Sequence, residues 1–122
     1  LLATADVVAY YSDQRLKKDI EPITNALNKV KSISGITYRT NEIAETLGIG
    51  DAREHVGVLA QEIQSVLPQV VLAAPFDIDP ITHSSKTGEN YLTVQYEKII
   101  PLLIQAIKEL SDEVEVLKAR GN

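Results

Sequence analysis

The chain has no cysteine. Disulfides, thiolate metal sites and cysteine nucleophiles are therefore excluded. It also has no methionine and no tryptophan, with five tyrosines and one phenylalanine. That is too few aromatic rings for a large stacking or sugar-binding platform. Basic charge is in deficit: 12 Lys and Arg against 17 Asp and Glu leave a net charge of −5. This weighs against nucleic acid, whose phosphates need a basic face. No apolar run approaches the roughly 20 residues that span a bilayer, and the N-terminus lacks the basic flank of a signal peptide. No glycine-rich loop is built to cradle phosphate. What remains is 122 residues, the length of one domain. A chain that starts at Leu1 without a methionine reads as a segment of a longer polypeptide.

Leu1 to Tyr11 (LLATADVVAYY) is apolar and rich in residues that favour strands. At Ser12 the composition turns abruptly to the charged run SDQRLKKDI, so a boundary is placed at Tyr11–Ser12. Pro22 suits the first turn of a helix. Ile23, Leu27 and Val30 then follow at i, i+4, i+7, making one apolar face that should end near Ser32 to Gly35. Ile36 to Thr40 alternates as a strand does. Asn41 to Arg53, with Gly48 and Gly50, reads as a loop with one helical turn. Val56 to Leu59 is a strand or a helix entry, Ala60 to Leu67 a helix stopped by Pro68, and Val70 to Ala74 a strand. Pro75 to Asn90 is a long polar excursion, expected to be exposed and functional or mobile.

The C-terminal stretch carries the strongest local pattern. With Thr93 as a plausible cap, apolar residues recur at Tyr96, Ile100, Leu103, Ile107, Leu110, Val114 and Leu117, at spacings of 4, 3, 4, 3, 4, 3. This is a heptad seam. Either the helix starts near Ile100, or Pro101 kinks it. Glu109, Asp112, Glu113, Glu115 and Lys118 coat the other faces. Such a narrow seam fits the core face of one helix in a monomer or an intermolecular coiled coil. About three heptads with charged flanks favour the coil. Composition alone leans towards two strands and does not by itself indicate three.

Three stretches together resemble the C-terminal chaperone of endosialidase tail spikes, a module that also ends phage tail fibres and neck appendages and occurs in myelin regulatory factor. They are Ser12 to Ile20 (SDQRLKKDI), His55 to Val71 (HVGVLAQEIQSVLPQVV) and Tyr91 to Leu110 (YLTVQYEKIIPLLIQAIKEL). The resemblance spans Ser12 to Arg120. It implies an α+β domain of small strands and short helices, with a long C-terminal helix in a trimeric coiled-coil bundle. It implies a passenger end at residues 1–11 and a chaperone and autopeptidase domain at residues 12–122. Function then follows as expectation: the domain trimerises, aids folding and registration of an upstream β-structured phage fibre, and cuts itself free at Tyr11–Ser12. By the same resemblance Ser12 and Lys17 are the serine–lysine pair. Ile100, Leu103, Ile107, Leu110, Val114 and Leu117 form the trimer seam. The expected setting is the host cytoplasm during phage assembly, with the passenger in the virion tail and the released chaperone not retained. Partners would be its own copies and the passenger, with neither nucleic acid nor membrane. Rival readings are a trimerisation cap that is never cut and the self-releasing domain of a membrane-tethered regulator.

Residue chemistry constrains that expectation. A serine hydroxyl attacks well only when a base takes its proton, and a lysine is a base only when neutral, which burial and nearby positive charge favour. Arg15 and Lys18 could supply such charge. Asp13 would oppose it if it paired with Lys17. Five residues apart, Ser12 and Lys17 meet neither on a helix nor on a strand. They meet if the chain turns between them or if the lysine comes from another protomer; otherwise Arg15, Lys17 and Lys18 are a solvated basic run. The further supporting candidates are His55, Gln61 and Glu62. His55 reads mainly as a strand-end residue, and Gln61 and Glu62 as capping or trimer-contact residues. His83 lies near Asp77, Asp79 and Glu89, a set that reads as a solvated loop. No metal and no cofactor is expected.

Overall fold

The computed structural model describes residues 11–121. In chain order the elements are α1 (Ala26–Lys31), β1 (Ile36–Tyr38), α2 (Glu42–Thr46), β2 (His55–Gly57), α3 (Ala60–Val66), β3 (Val71–Ala73), β4 (Leu92–Val94) and α4 (Ile100–Gly121). Four 3-10 turns join them, at Gln14–Leu16, Pro68–Val70, Pro75–Asp77 and Tyr96–Ile99. The class is α+β, with short strands and one long C-terminal helix, as expected. The strands form two antiparallel pairs: Ile36 lies opposite Gly57 in β1–β2 and Val71 opposite Val94 in β3–β4.

The core gathers where α1, α3 and the first turns of α4 meet. Ala26, Ile63, Leu67, Val70, Ile99, Leu102 and Ala106 are buried there, and Ile63 and Leu102 have no exposed surface. Burial of each Ile, Leu or Val side chain there contributes about 1.5–3 kcal/mol through removal from water. Val58 and Val94 flank this cluster, so both hairpins rest on it.

Several boundaries differ from the sequence reading, each for a local reason. The first helix starts at Ala26, and Pro22 lies before it. Its N-cap, Asn25, is left-handed (φ 54°) and makes no side-chain cap. Ile23 nevertheless packs on the core beside Leu27 and Val30, so the apolar spacing reported burial and not helix length. β1 stops at Tyr38 because Thr40 turns its hydroxyl to the Asp51 backbone, accepting from N at 3.0 Å and donating to O at 2.9 Å. Asn41 caps α2 through Oδ1, which accepts from Ala44 N at 3.0 Å; the expected helical turn is there. Val70 belongs to a 3-10 turn opened by Pro68 and not to β3. Thr93 is a β4 residue opposite Leu72, not a helix cap. α4 begins at Ile100. Pro101 therefore falls in its first turn, where a missing N–H costs nothing, and no kink is needed. The expected strand at Leu1 to Tyr11 lies outside the described residues, apart from Tyr11.

Candidate functional site

The charged run after Tyr11 forms one turn. Asp13 caps the 3-10 turn Gln14–Leu16, and Leu16 N and Lys17 N donate to Asp13 O and Gln14 O at 3.0 and 3.1 Å. This reversal overcomes the unhelpful five-residue spacing: Lys17 Nζ donates to Ser12 Oγ at 3.0 Å. Both side chains are exposed in the single chain.

Asp13 does not pair with Lys17. Its Oδ1 accepts from Arg15 N at 2.8 Å and Arg15 Nε at 3.1 Å, and its Oδ2 accepts from a terminal guanidinium nitrogen of Arg15 at 2.8 Å. Arg15's side chain, and then its amide, hold the Asp13 carboxyl below the usual range. The Arg15 charge is thus spent on Asp13, contrary to the idea that it supplies free positive charge to Lys17.

Two of the other supporting candidates, His55 and Glu62, have structural partners. His55 opens β2, and its Nε2 lies 2.8 Å from Asp51 Oδ1 while its ring stacks on Tyr38, centroids 5.3 Å apart. Glu62 receives Ser34 N at 2.9 Å and Ser34 Oγ at 3.3 Å, tying α3 to the entrance of β1. Gln61 is exposed and borders a shallow groove with Tyr38, Tyr91 and Tyr96. Gly57 in the central motif has a steric reason to be glycine. A Cβ there would stand 2.7 Å from Tyr96 Oη and 3.2 Å from Tyr38 Cε1. Tyr96 sits over it with its hydroxyl accepting from Val58 N at 3.2 Å. Tyr96 opens the 3-10 turn before α4 and fastens it to the end of β2.

α4 carries two separate apolar faces. Leu102 and Ala106 point into the protomer core. The heptad residues do not: Ile100, Leu103, Ile107, Leu110, Val114 and Leu117 are 40–65 % exposed. Within one chain the seam is thus not the core face of the helix.

Two acidic residues do work that the sequence did not signal. Glu109, expected only to coat a face away from the seam, accepts Ala26 N through Oε2 at 2.8 Å and Leu27 N through Oε1 at 2.9 Å. It replaces the cap that Asn25 does not provide, and the Leu27 and Ala26 amides lower its pKa. Asp77 anchors the polar excursion. It is only 3 % exposed and accepts Ser85 Oγ at 2.6 Å, Thr87 N at 2.9 Å and Tyr91 N at 3.2 Å. The Ser85 hydroxyl chiefly, with those amides, brings its pKa to about 2. The excursion is exposed along most of its length, as expected, but it is built around a buried carboxylate. No sequence spacing announces either residue, since each acts by meeting backbone amides brought to it by the fold.

Among the described residues, no group of three or more His, Asp or Glu side chains could hold a metal ion, and no helix is long and apolar enough to cross a membrane.

Comparison with known proteins places residues 12–72 in register with the family described as chaperone of endosialidase. Over 110 residues the chain is 40 % identical to the long tail fiber protein Gp37 of Enterobacteria phage K3, covering 89 % of this chain and 8 % of that protein. The same identity and coverage of this chain hold for Gp37 of Enterobacteria phage T2, of which 7 % is covered. Gp37 of Enterobacteria phage M1 is 31 % identical over 108 residues, with 38 % of its length covered. The chain therefore spans a small part of these relatives.

Proposed function

Since the chain belongs to the family of endosialidase chaperones, we propose that it is a C-terminal intramolecular chaperone of a phage tail fibre that trimerises and then releases itself by cutting Tyr11–Ser12. The observation that carries this reading is the contact between Lys17 Nζ and Ser12 Oγ, 3.0 Å, at the first residue matched to the family.

With Lys17 neutral, the same contact lets the Ser12 hydroxyl donate to Nζ. Ser12 Oγ then adds to the Tyr11 carbonyl carbon while Lys17 takes the proton. The C–N bond breaks as that proton passes to the departing Ser12 nitrogen, leaving an ester between Tyr11 and the Ser12 side chain. Water hydrolyses the ester, giving a Tyr11 carboxylate and a free Ser12 hydroxyl and amine. A lysine needs desolvation to act this way at neutral pH. Because Ser12 and Lys17 are exposed in one chain, the reading makes cutting depend on assembly.

Assembly has its own support. The seam from Ile100 to Leu117 is exposed on a 22-residue helix. Covering it with two further copies would remove a contiguous apolar stripe from water. Joining the ends of three passenger chains raises their effective concentration, which helps long-range β-structures that fold slowly. Cutting afterwards leaves the fibre held by its unfolding barrier. These steps fit the host cytoplasm during assembly, with the passenger retained in the virion.

The rival reading, an uncut trimerisation cap, is favoured by the exposure of Ser12 and Lys17. A denaturing mass spectrum of the freshly made chain with its upstream segment separates the two. The autopeptidase yields a fragment starting at Ser12 that disappears in Ser12→Ala, while a cap shows only the full-length mass in both.

A further inference from the structure

We propose that Arg15 is a positioning residue for the cleavage reaction: by holding the Asp13 carboxylate in a fork of hydrogen bonds, it keeps that carboxylate from Lys17 and leaves the amine facing Ser12. This rests on the Ser12–Lys17 reading and adds to it a reason for the arginine.

The geometry is specific. Asp13 lies between Ser12 and the 3-10 turn, one residue from the attacking hydroxyl and four from the lysine. Asp19 is closer in sequence to Lys17, but Asp13 adjoins Ser12, at the end of the turn where the Lys17 amine meets the hydroxyl, so a free carboxylate there would compete for the ammonium. An opposite charge within reach favours the protonated amine, the form that cannot accept a proton. Instead both Asp13 oxygens are engaged by Arg15, at 2.8 Å to the amide, 3.1 Å to Nε and 2.8 Å to a terminal nitrogen. A planar guanidinium can do this and a lysine ammonium cannot, because the fork matches both carboxylate oxygens. The depressed pKa of Asp13, whose first cause is the Arg15 side chain, agrees with that engagement.

The pair is exposed, with side chains 42 % and 87 % accessible, and exposed ion pairs add little to stability. Its value therefore lies in where it puts charge, not in holding the fold. The other charged groups along this exposed stretch are Lys18, Asp19 and Glu21. None of them has an ion-pair partner among the described residues, and all three remain in every variant below, so the comparison isolates Asp13.

The test follows the cleavage rate against pH in the chain with its upstream segment. Arg15→Ala should move the midpoint of the rate profile upward by about one pH unit, so that below the midpoint cutting slows roughly tenfold. Adding Asp13→Asn should return the midpoint to the wild-type value, since Asn keeps an oxygen for the turn and carries no charge. Arg15→Lys should fall between. An unchanged midpoint in Arg15→Ala overturns the proposal. So does a loss of rate at all pH values that Asp13→Asn fails to rescue, because that is the mark of a broken turn. A second readout does not depend on cutting: in uncut Ser12→Ala protein, the NMR titration midpoint of the Lys17 Cε resonance should rise on adding Arg15→Ala. If that midpoint stays put, the positioning role fails even where Ser12 proves to be the nucleophile. If it rises but no variant is ever cut, the charge arrangement stands and the peptidase reading fails.

Discussion

Ile107→Ala and Leu102→Ala are a matched pair that separates the two faces of α4. Leu102 is fully buried within the protomer, whereas Ile107 is 65 % exposed. Truncating Leu102 leaves a cavity among Ile63, Ile99 and Ala106 and should cost about 2–5 kcal/mol of protomer stability. In an isolated protomer, truncating Ile107 should change stability by only about 0.5 kcal/mol or less. In a trimer whose seam is buried, the same truncation removes core contacts in every copy. At about 2–4 kcal/mol per copy, the loss is about three times that per trimer, and each 1.4 kcal/mol is tenfold in an equilibrium constant. Ile107→Ala should therefore shift trimer dissociation by several orders of magnitude while leaving the dissociated chain folded. Sedimentation equilibrium over a range of concentrations reads the first effect, and circular dichroism of the dissociated chain reads the second. If Ile107→Ala leaves the mass distribution unchanged, the heptad seam is not the assembly face.

Gly57→Ala should destabilise by about 1–3 kcal/mol through overpacking, because its Cβ meets Tyr96 Oη at 2.7 Å; urea unfolding measures this. A Gly57→Ala chain as stable as wild type would remove the steric account of the central motif. Asp77→Asn should speed hydrogen exchange at Thr87 and Tyr91 by roughly tenfold, since a neutral amide is a weaker acceptor. The same contacts set an acid limit. The folded pKa of about 2 lies below the ordinary value of about 3.9, so this contribution is present above the ordinary value and is lost as pH falls towards 2. Protection of the excursion's amides, relative to their intrinsic exchange at each pH, that is flat over that window would contradict it. Glu109→Ala should speed exchange at Ala26 and Leu27, whose amides it caps at 2.8 and 2.9 Å, with little change at the Asn41-capped α2.

The sequence announced those parts that depend on local pattern. Periodicity found the long helix, and Pro68 marked a boundary that the fold keeps. It did less well where backbone conformation is set from a distance. α1 starts late because Asn25 turns left-handed and Glu109, more than eighty residues away, supplies the missing acceptor. Thr93 resembled a cap, yet pairing with Leu72 made it a strand residue. At the candidate site, spacing placed Ser12 and Lys17 on opposed faces of any regular element. The contact arises only from the short turn that Asp13 caps, a feature that residue identity suggests and periodicity cannot express. Asp77 was legible as an acid in a polar loop, but its burial follows from three donors, two of them backbone amides, brought together by the loop's closure.

The central claim is that Lys17 takes the proton of Ser12. Its most direct measurement is the denaturing mass spectrum, over time, of wild type, Lys17→Arg and Lys18→Ala, each made with the upstream segment and shown to assemble. Arginine keeps the positive charge but stays protonated and cannot serve as a base. The account predicts a fragment starting at Ser12 from wild type and Lys18→Ala, slower to appear as pH falls, and none from Lys17→Arg. Cutting of Lys17→Arg at the wild-type rate would contradict it.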